Sequence, residues 1–318
     1  MSAENHTDFP QRAIHKHVVL HCLTNNIFEM KTKLLLLFLI PILANAQDGI
    51  KPIIDVHLHG YNERTYRPVP GAPESYEKFK TEIRKQFEKF NIVYAIKSGG
   101  QFDPDMEEKM LNGYEGNDVP KLDTIEFKKQ IDEGKIEVWG ELMLMFNGKT
   151  IADPEFAPYL NICEQKGVPV ALHVGQGPPG IYKRYPNFKL NLGDPLLIDE
   201  VLIKYPELKI YLMHAGIPFY ENTLALMEQY PQVYCDLGAV LWVSRGLSSF
   251  HLEDFLVKAK KYGFIDRIMY GSDAMYWTTN IEKSIKKLES FDFLSEEDKR
   301  KIFYENAVKF FELELLKD

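Results

Sequence analysis

Pro52-Ile53-Ile54-Asp55-Val56-His57-Leu58-His59-Gly60 is a short apolar run that ends in two histidines one residue apart. Such a run reads as a buried strand. Alternate side chains of a strand share a face, so His57 and His59 point the same way. Two imidazoles on one face of a strand end can hold one metal ion. Later segments must then supply the remaining ligands.

Downstream, strand and helix signals alternate. Residues 60–75 form a loop with Tyr61, Arg64, Tyr66 and Arg67 among Pro and Gly, a composition suited to a pocket rim. Phe79, Ile83, Phe87 and Phe90 recur at three- and four-residue spacing and predict a helix over 76–90. A buried strand over 91–96 runs into Lys97-Ser98-Gly99-Gly100. The stretch 101–135 shows no clear strand. Its pattern predicts helices over 105–114 and 124–133, with room for one hidden strand. A strand over 136–145 is centred on Trp139-Gly140-Glu141-Leu142. A helix over 155–166 ends at Gly167. The next strand ends in His173, and a Gly/Pro-rich loop follows it to Gly193. A helix over 194–205 leads to a strand that closes on His214-Ala215-Gly216. Helix 221–230, strand 233–237, a loop with Trp242, Ser244 and Arg245, and helix 252–262 come next. The last strand, 267–273, ends in Asp273, and helices over 280–288 and 295–314 close the chain. Seven visible strands and one hidden strand, alternating with helices, predict an α/β protein with a parallel sheet. A single-domain TIM (β/α)8 barrel over 47–318 is the natural closure.

Barrels of this kind carry their active sites at the C-terminal ends of the strands. Standing there are His57, His59, His173, His214 and Asp273, with Glu141 near the end of the middle strand. Five histidines follow residue 46, and four of them fall at strand ends; His251 begins a helix and is expected to face solvent. A single strand-end histidine is more often a hydrogen-bonded structural residue. Asp273 alone reads as a turn cap, and Glu141 alone as a buried ion-pair partner. Together they offer, at one rim, the ligand types that suit zinc. His57, His59 and His173 are expected to hold a first divalent ion. His214 is either a ligand to a second ion or a positioned acid/base, and Glu141 a bridge between two ions. Asp273 is expected as general base and then acid, with a weak bond to the metal. Such an ion brings the pKa of water toward neutrality and polarises the bond under attack.

The same residues resemble the amidohydrolase superfamily, and more narrowly the amidohydrolase-related (amidohydrolase 2) family of metal-dependent hydrolases. The pattern is Asp55-x-His57-x-His59, then His173, His214 and Gly271-Ser272-Asp273. Tyr205-Pro206-Glu207-Leu208-Lys209, Val233-Tyr234-x-Asp236, Arg267-Ile268-Met269-Tyr270 and Asn306-Ala307 fit as well, so the likeness spans about residues 50–312. The resemblance implies a distorted TIM barrel with one or two divalent metals, usually zinc. It places metal ligands at His57, His59, His173 and His214 and the catalytic aspartate at Asp273. Trp139-Gly140-Glu141 departs from many members and is similar to the metal-binding Gly-Glu-Ile-Gly segment of TatD-type deoxyribonucleases. Lys97 lies on too early a strand to match the carboxylated lysine of other relatives.

The front of the chain has a different character. Lys31 and Lys33, an apolar run over 34–43 and Ala44-Asn45-Ala46 form a secretory signal layout, with cleavage after Ala46. The run is shorter than the ~20 apolar residues that span a bilayer. Residues 1–29, ahead of Met30, then read as a non-native upstream extension, 30–46 as the signal peptide, and the protein as periplasmic or secreted. Without residues 1–46 the chain has 34 basic and 43 acidic side chains, net −9, which disfavours nucleic-acid binding. Cys163 and Cys235 are expected as two separate buried thiols.

The function implied is hydrolysis of an amide, ester, lactone or cyclic C–N bond in a small molecule. Candidate substrate contacts are Arg64, Gln176, Arg184, Trp242, Arg245 and Tyr276, with Tyr61, Tyr182 and Trp277 beside them. The arginines suit a carboxylate or phosphate. Three other readings compete: a non-hydrolytic decarboxylase of the same family, a TatD-like nuclease, and a binding protein on a barrel that has lost its chemistry. The filled set of ligand positions argues against the last. Homo-oligomerisation is left open.

Overall fold

The computed structural model describes residues 51–102, 104–115, 122–243 and 247–314. The upstream segment, the signal layout and Arg245 lie outside the described residues. Strands and helices alternate in the order β1 (Ile53–Leu58), α1 (Tyr76–Phe90), β2 (Ile92–Lys97), α2 (Pro104–Glu107), β3 (Met110–Tyr114), α3 (Thr124–Asp132), β4 (Val138–Leu142), α4 (Ala157–Lys166), β5 (Val170–His173), α5 (Asp199–Lys204), β6 (Ile210–Met213), α6 (Tyr220–Gln229), β7 (Val233–Asp236), α7 (Leu247–Tyr262), β8 (Ile268–Met269) and α8 (Thr279–Glu289). A last helical stretch runs from α9 (Glu296–Arg300) through a π turn, Lys301–Glu305, into α10 (Asn306–Phe311). All eight strands are parallel and neighbour one another in chain order. The first and last strands meet through Val56 N–H to Tyr270 O (3.0 Å) and Asp273 N–H to His57 O (2.7 Å). This is the (β/α)8 barrel that the alternation implies.

Local chemistry explains the helix limits. Ser75 caps α1 by accepting from Lys78 N–H, and Asn91 ends it at φ 50°. The buried face of α1 is Tyr76, Phe79, Ile83 and Phe87, the face that the spacing predicts. Asp123 caps α3 by accepting from Ile125 and Glu126 N–H. Gly167 ends α4 at φ 66°. Cys163 and Cys235 are separate, free and buried, as expected.

Three expectations change. The helix expected over 105–114 is a single turn, α2, followed by β3. Asn112 and Gly113 are weak strand formers, so β3 carries little strand signal of its own. It exists because its neighbours offer partners on both sides: Ala95 to Lys97 of β2 pair with it, as do Val138 and Trp139 of β4. The helix expected over 194–205 is split into a 3-10 turn, Pro195–Ile198, and the short α5. His251 is not at a helix start but within α7, and it is half-buried, its ring 5.3 Å from that of Tyr220 and its Nδ1 buried.

Two apolar clusters divide the core. The outer one packs helices on the barrel wall. The inner one collects Ile54, Val56, Ile96, Val138, Ala171, Tyr211, Met213, Tyr234 and Met269 from the strands, with Ala307 and Phe310 of α10. So α10 closes the N-terminal mouth of the barrel, and Phe310 rests against Tyr234 and Tyr211 with ring centroids 4.7 and 5.7 Å away. Phe310→Ala should cost about 3–5 kcal/mol of stability, because it removes a buried aromatic ring from the inner cluster and leaves a cavity there. Urea unfolding followed by circular dichroism measures it, and a loss below about 1 kcal/mol would contradict the plug.

Candidate metal centre

At the opposite mouth, β1 departs from strict alternation. Ile54 and Val56 point into the barrel, whereas Leu58 joins the outer cluster. The register with β2 slips between Asp55 and Leu58, three residues on β1 matching two steps on β2. This bulge turns His57 and His59 inward together. Without it they would share the outward face of Ile53. A slip of the same kind occurs in β4 between Trp139 and Leu142. There Gly140 has φ 150° and lies so close to β5 that a Cβ would fall 2.3 Å from Ala171 O. Glycine is the residue that fits, and it aims Glu141 into the barrel mouth.

Six side chains meet there. Glu141 is nearly fully buried, and its two oxygens face different histidines. Oε2 lies 3.4 Å from His57 Nε2 and 3.2 Å from His59 Nε2. Oε1 lies 2.6 Å from His173 Nδ1 and 3.3 Å from His214 Nε2. Asp273 Oδ1 joins the first group, 3.4 Å from His57 Nε2 and 3.1 Å from His59 Nε2. His173 Nδ1 and His214 Nε2 are 3.0 Å apart. The sequence reading puts His173 beside His57 and His59; the geometry puts it beside His214, on the far side of Glu141. His214 and Asp273 have φ of 60° and 49°, so both sit in left-handed backbone that non-glycine residues rarely adopt.

A ring of carboxylates and carbonyls holds the far sides of these imidazoles. His57 Nδ1 lies 3.0 Å from Asp236 Oδ2, and His214 Nδ1 lies 2.9 Å from Gly238 O. His59 Nδ1 lies 3.6 Å from Glu115 Oε1. Asp55 Oδ1 accepts from His57 N–H and Ser272 N–H, tying β1 to the chain that carries Asp273. Asp236 and Asp55 were legible only as parts of a pattern. Glu115 was missed, since it follows the strand whose signal is weak.

The charges follow from this crowding. Burial opposes a charge on His57, but Asp273, Asp236 and Glu141 outweigh it and hold its pKa well above the ordinary value. Burial likewise opposes His59, and Asp273, Glu115 and Glu141 raise it. Burial would raise Glu141 and Asp273, but the histidines around them hold both below the usual carboxylate range. His173 is lowered, by burial first and by His214 second. Burial pushes Asp55 up to about 6.

With Nδ1–H of His57 directed at Asp236, its Nε2 faces one oxygen each of Glu141 and Asp273 at 3.4 Å and has no hydrogen-bond partner. A cation is what such a nest of acceptors requires. Nitrogen and carboxylate donors of His57, His59 and Glu141, and again of Glu141, His173 and His214, lie within 4.8 Å of one another, which suits a divalent metal.

The remaining candidates lie around the rim. Tyr61 and Tyr276 stack with ring centroids 4.6 Å apart. Trp242 Nε1–H donates to Ser272 O at 2.7 Å and so braces the chain next to Asp273. Gln176 N–H donates to Ile217 O. Arg64 and Arg184 are exposed, the latter over the Tyr185 ring. Lys97 is buried and pairs with Glu107 at 2.6 Å.

A parallel (β/α)8 barrel with a buried histidine and carboxylate cluster at its C-terminal mouth is the class of protein that fold and site define. The family model for amidohydrolases matches residues 127–313, and the chain belongs to that family. No curated protein matches it in sequence. Among solved structures it is similar to one described as a probable 2-pyrone-4,6-dicarboxylic acid hydrolase from Acinetobacter baumannii. That match has a TM-score of 0.58 at 15% identity and covers 82% of this chain and 99% of the other. A 2,6-dihydroxybenzoate decarboxylase matches at 0.53 and 16%, covering 82% and 99%. A manganese-bound 5-carboxyvanillate decarboxylase from Novosphingobium aromaticivorans matches at 0.54 and 15%, covering 84% and 98%. At these identities the likeness is one of fold. No described helix is long and apolar enough to cross a membrane.

The pKa directions fix a pH dependence for the metal-free protein. The raised values of His57 and His59 contribute stability that is complete below about 6.5 and fades as pH climbs through the folded-state values. The lowered values of Glu141 and Asp273 contribute stability that is complete above about 4 and fades as pH falls toward the folded-state values. Tm of the metal-free protein should therefore peak between about pH 5 and 6.5 and decline toward about pH 9. Scanning calorimetry across that range checks it; a Tm that rises toward alkaline pH would be the wrong sign.

Proposed function

We propose that this chain is a metal-dependent hydrolase that cleaves an amide, ester, lactone or cyclic C–N bond of a small molecule. The observation that carries the reading is Glu141, whose two oxygens each face a separate pair of imidazoles. Two divalent ions would suit that donor set, with Glu141 offering one oxygen to each. His57, His59 and Asp273 would complete one and His173 with His214 the other. Imidazole-rich sites favour zinc; manganese, present in one similar structure, is the competing ion. When bound, such ions lower the pKa of a neighbouring water and polarise the bond under attack.

The protein's own residues then handle the proton. Asp273, held below the usual carboxylate range, is ionised at neutral pH. It takes a proton from the water whose oxygen bonds to the substrate's electrophilic carbon. As the C–N or C–O bond breaks, the same proton passes to the departing nitrogen or oxygen. His214 is assigned here as a ligand and not as the acid/base, because its Nδ1 is directed at Gly238 O and its Nε2 points at Glu141. Arg64 and Arg184, exposed on the loops after β1 and β5, suit a substrate carboxylate. The similar structures named above are enzymes of ring carboxylates, which supports an acidic ring as substrate. Two of the three are decarboxylases, and that favours a second reading in which the proton goes to a ring carbon as carbon dioxide leaves. The pattern over 30–46 supports export.

Asp273→Asn should keep fold and bound metal while kcat falls about 10²–10⁴-fold. Elemental analysis of purified protein should find zinc or manganese. A lactone and amide panel beside an assay for carbon dioxide release from aromatic acids separates the two chemistries. Protein that holds no metal and gains no activity from any, or an Asp273→Asn variant with unchanged kcat, would defeat the proposal.

A further inference from the structure

We infer that Asp236 is a positioning residue that decides which nitrogen of His57 is offered to an ion, and that it links this choice to the backbone of His214. Asp236 and His57 are both fully buried, and Oδ2 lies 3.0 Å from Nδ1. A neutral imidazole can present only a protonated nitrogen to a carboxylate at that distance, so Nδ1 carries the hydrogen. Nε2 is thereby left to face Glu141 and Asp273. The other oxygen, Oδ1, accepts from His214 N–H at 2.9 Å and Gly238 N–H at 2.8 Å. Three donors thus occupy two oxygens. Asp236 also lies within 4.8 Å of His57 and His214 donor atoms, but three of its lone pairs are already engaged by N–H groups.

The turn 236–238 does the same for a second histidine. Gly238 O lies 2.9 Å from His214 Nδ1, which fixes the Nδ1–H form and turns Nε2 toward Glu141. This turn passes so close to His57 that a Cβ on Gly238 would fall 2.5 Å from Nδ1. One carboxylate and one carbonyl at the end of β7 therefore set the free nitrogen of one histidine in each half of the cluster. Such outer partners orient the ring and tune its basicity.

Asp236→Asn tests this with little change of shape. Two backbone N–H groups face Oδ1, so the amide oxygen belongs there and the amide NH2 turns toward His57. Nδ1 must then accept, and the ring proton moves to Nε2, between Glu141 and Asp273. Nitrogen-15 NMR of histidine-labelled, metal-free protein, at a pH high enough for His57 to be neutral, should show a hydrogen on His57 Nδ1 in the wild type and none in Asp236→Asn. Titration with zinc alone should show affinity at the His57 half reduced about 10–100-fold. A wild-type Nδ1 without hydrogen overturns the inference, and that result needs no variant. So does an Asp236→Asn protein whose neutral His57 keeps its hydrogen on Nδ1, since the carboxylate would then not be choosing the nitrogen. The zinc arm rests on the proposed metal centre and the NMR arm does not. If neither protein takes up zinc while the NMR result holds, the metal reading fails and this one stands.

Discussion

The mouth of this barrel is built around a repulsion. Glu141 lies buried among four imidazoles, and Asp273 faces two of the same rings, at distances of 2.6 to 3.4 Å. The second nitrogens of His57 and His214 face these oxygens, because their other nitrogens are directed at Asp236 and Gly238 O. Carboxylates and neutral imidazoles buried together with no cation among them are costly. Protons or metal ions must sit among them, and the raised pKa values of His57 and His59 express the first solution. The amidohydrolase family to which the chain belongs makes the second the natural working state.

Much of the backbone irregularity follows from gathering those groups. A flat, regular strand would send His57 and His59 outward with Ile53; the slip in β1 brings them in. The slip in β4 does the same for Glu141 at a glycine pressed onto β5. His214 and Asp273 occupy positive-φ backbone. Strain of this kind persists where neighbours over-determine the conformation. Here they do so through Asp236 on His214 N–H and through His57 O on Asp273 N–H.

What was legible in the sequence has the same physical origin. Apolar runs that end abruptly in His57, His59, His173, His214 and Asp273 announce both the strands and their polar rim, since a parallel barrel buries its strands and exposes their ends. Alternation alone placed His57 and His59 on one face but could not say which face, because a bulge leaves no mark in residue type. β3 was hidden because Asn112 and Gly113 carry no strand preference and the pairing that makes it a strand comes from its neighbours. Glu115 disappeared with it. His251 read as a surface residue because the helix start was placed too late; in α7 it packs under Tyr220. The partition of histidines between the two oxygens of Glu141 depends on rotamers and is not written in the sequence at all.

Asp273 shows how a catalytic position is held without a long strand beneath it. β8 pairs with β7 through two residues only. Its placement comes instead from contacts off the ladder. Asn306 Nδ2 donates to Ile265 O and Ile268 O at 2.7 Å, and Tyr270 N–H donates to Ile302 O, so the helix that plugs the lower mouth also grips the last strand. Above, Asp55 Oδ1 accepts from Ser272 N–H and Trp242 Nε1–H donates to Ser272 O. Each of these bonds is worth roughly 1 kcal/mol. Their combined effect is positional: they hold the chain at residues 265, 268, 270 and 272, leading up to Asp273, from β1, the loop after β7 and the C-terminal helix. Stability at the N-terminal mouth and chemistry at the C-terminal mouth are usually treated as separate properties of a barrel. In this chain they are joined, because the helix that fills the lower opening also helps place the aspartate at the upper one.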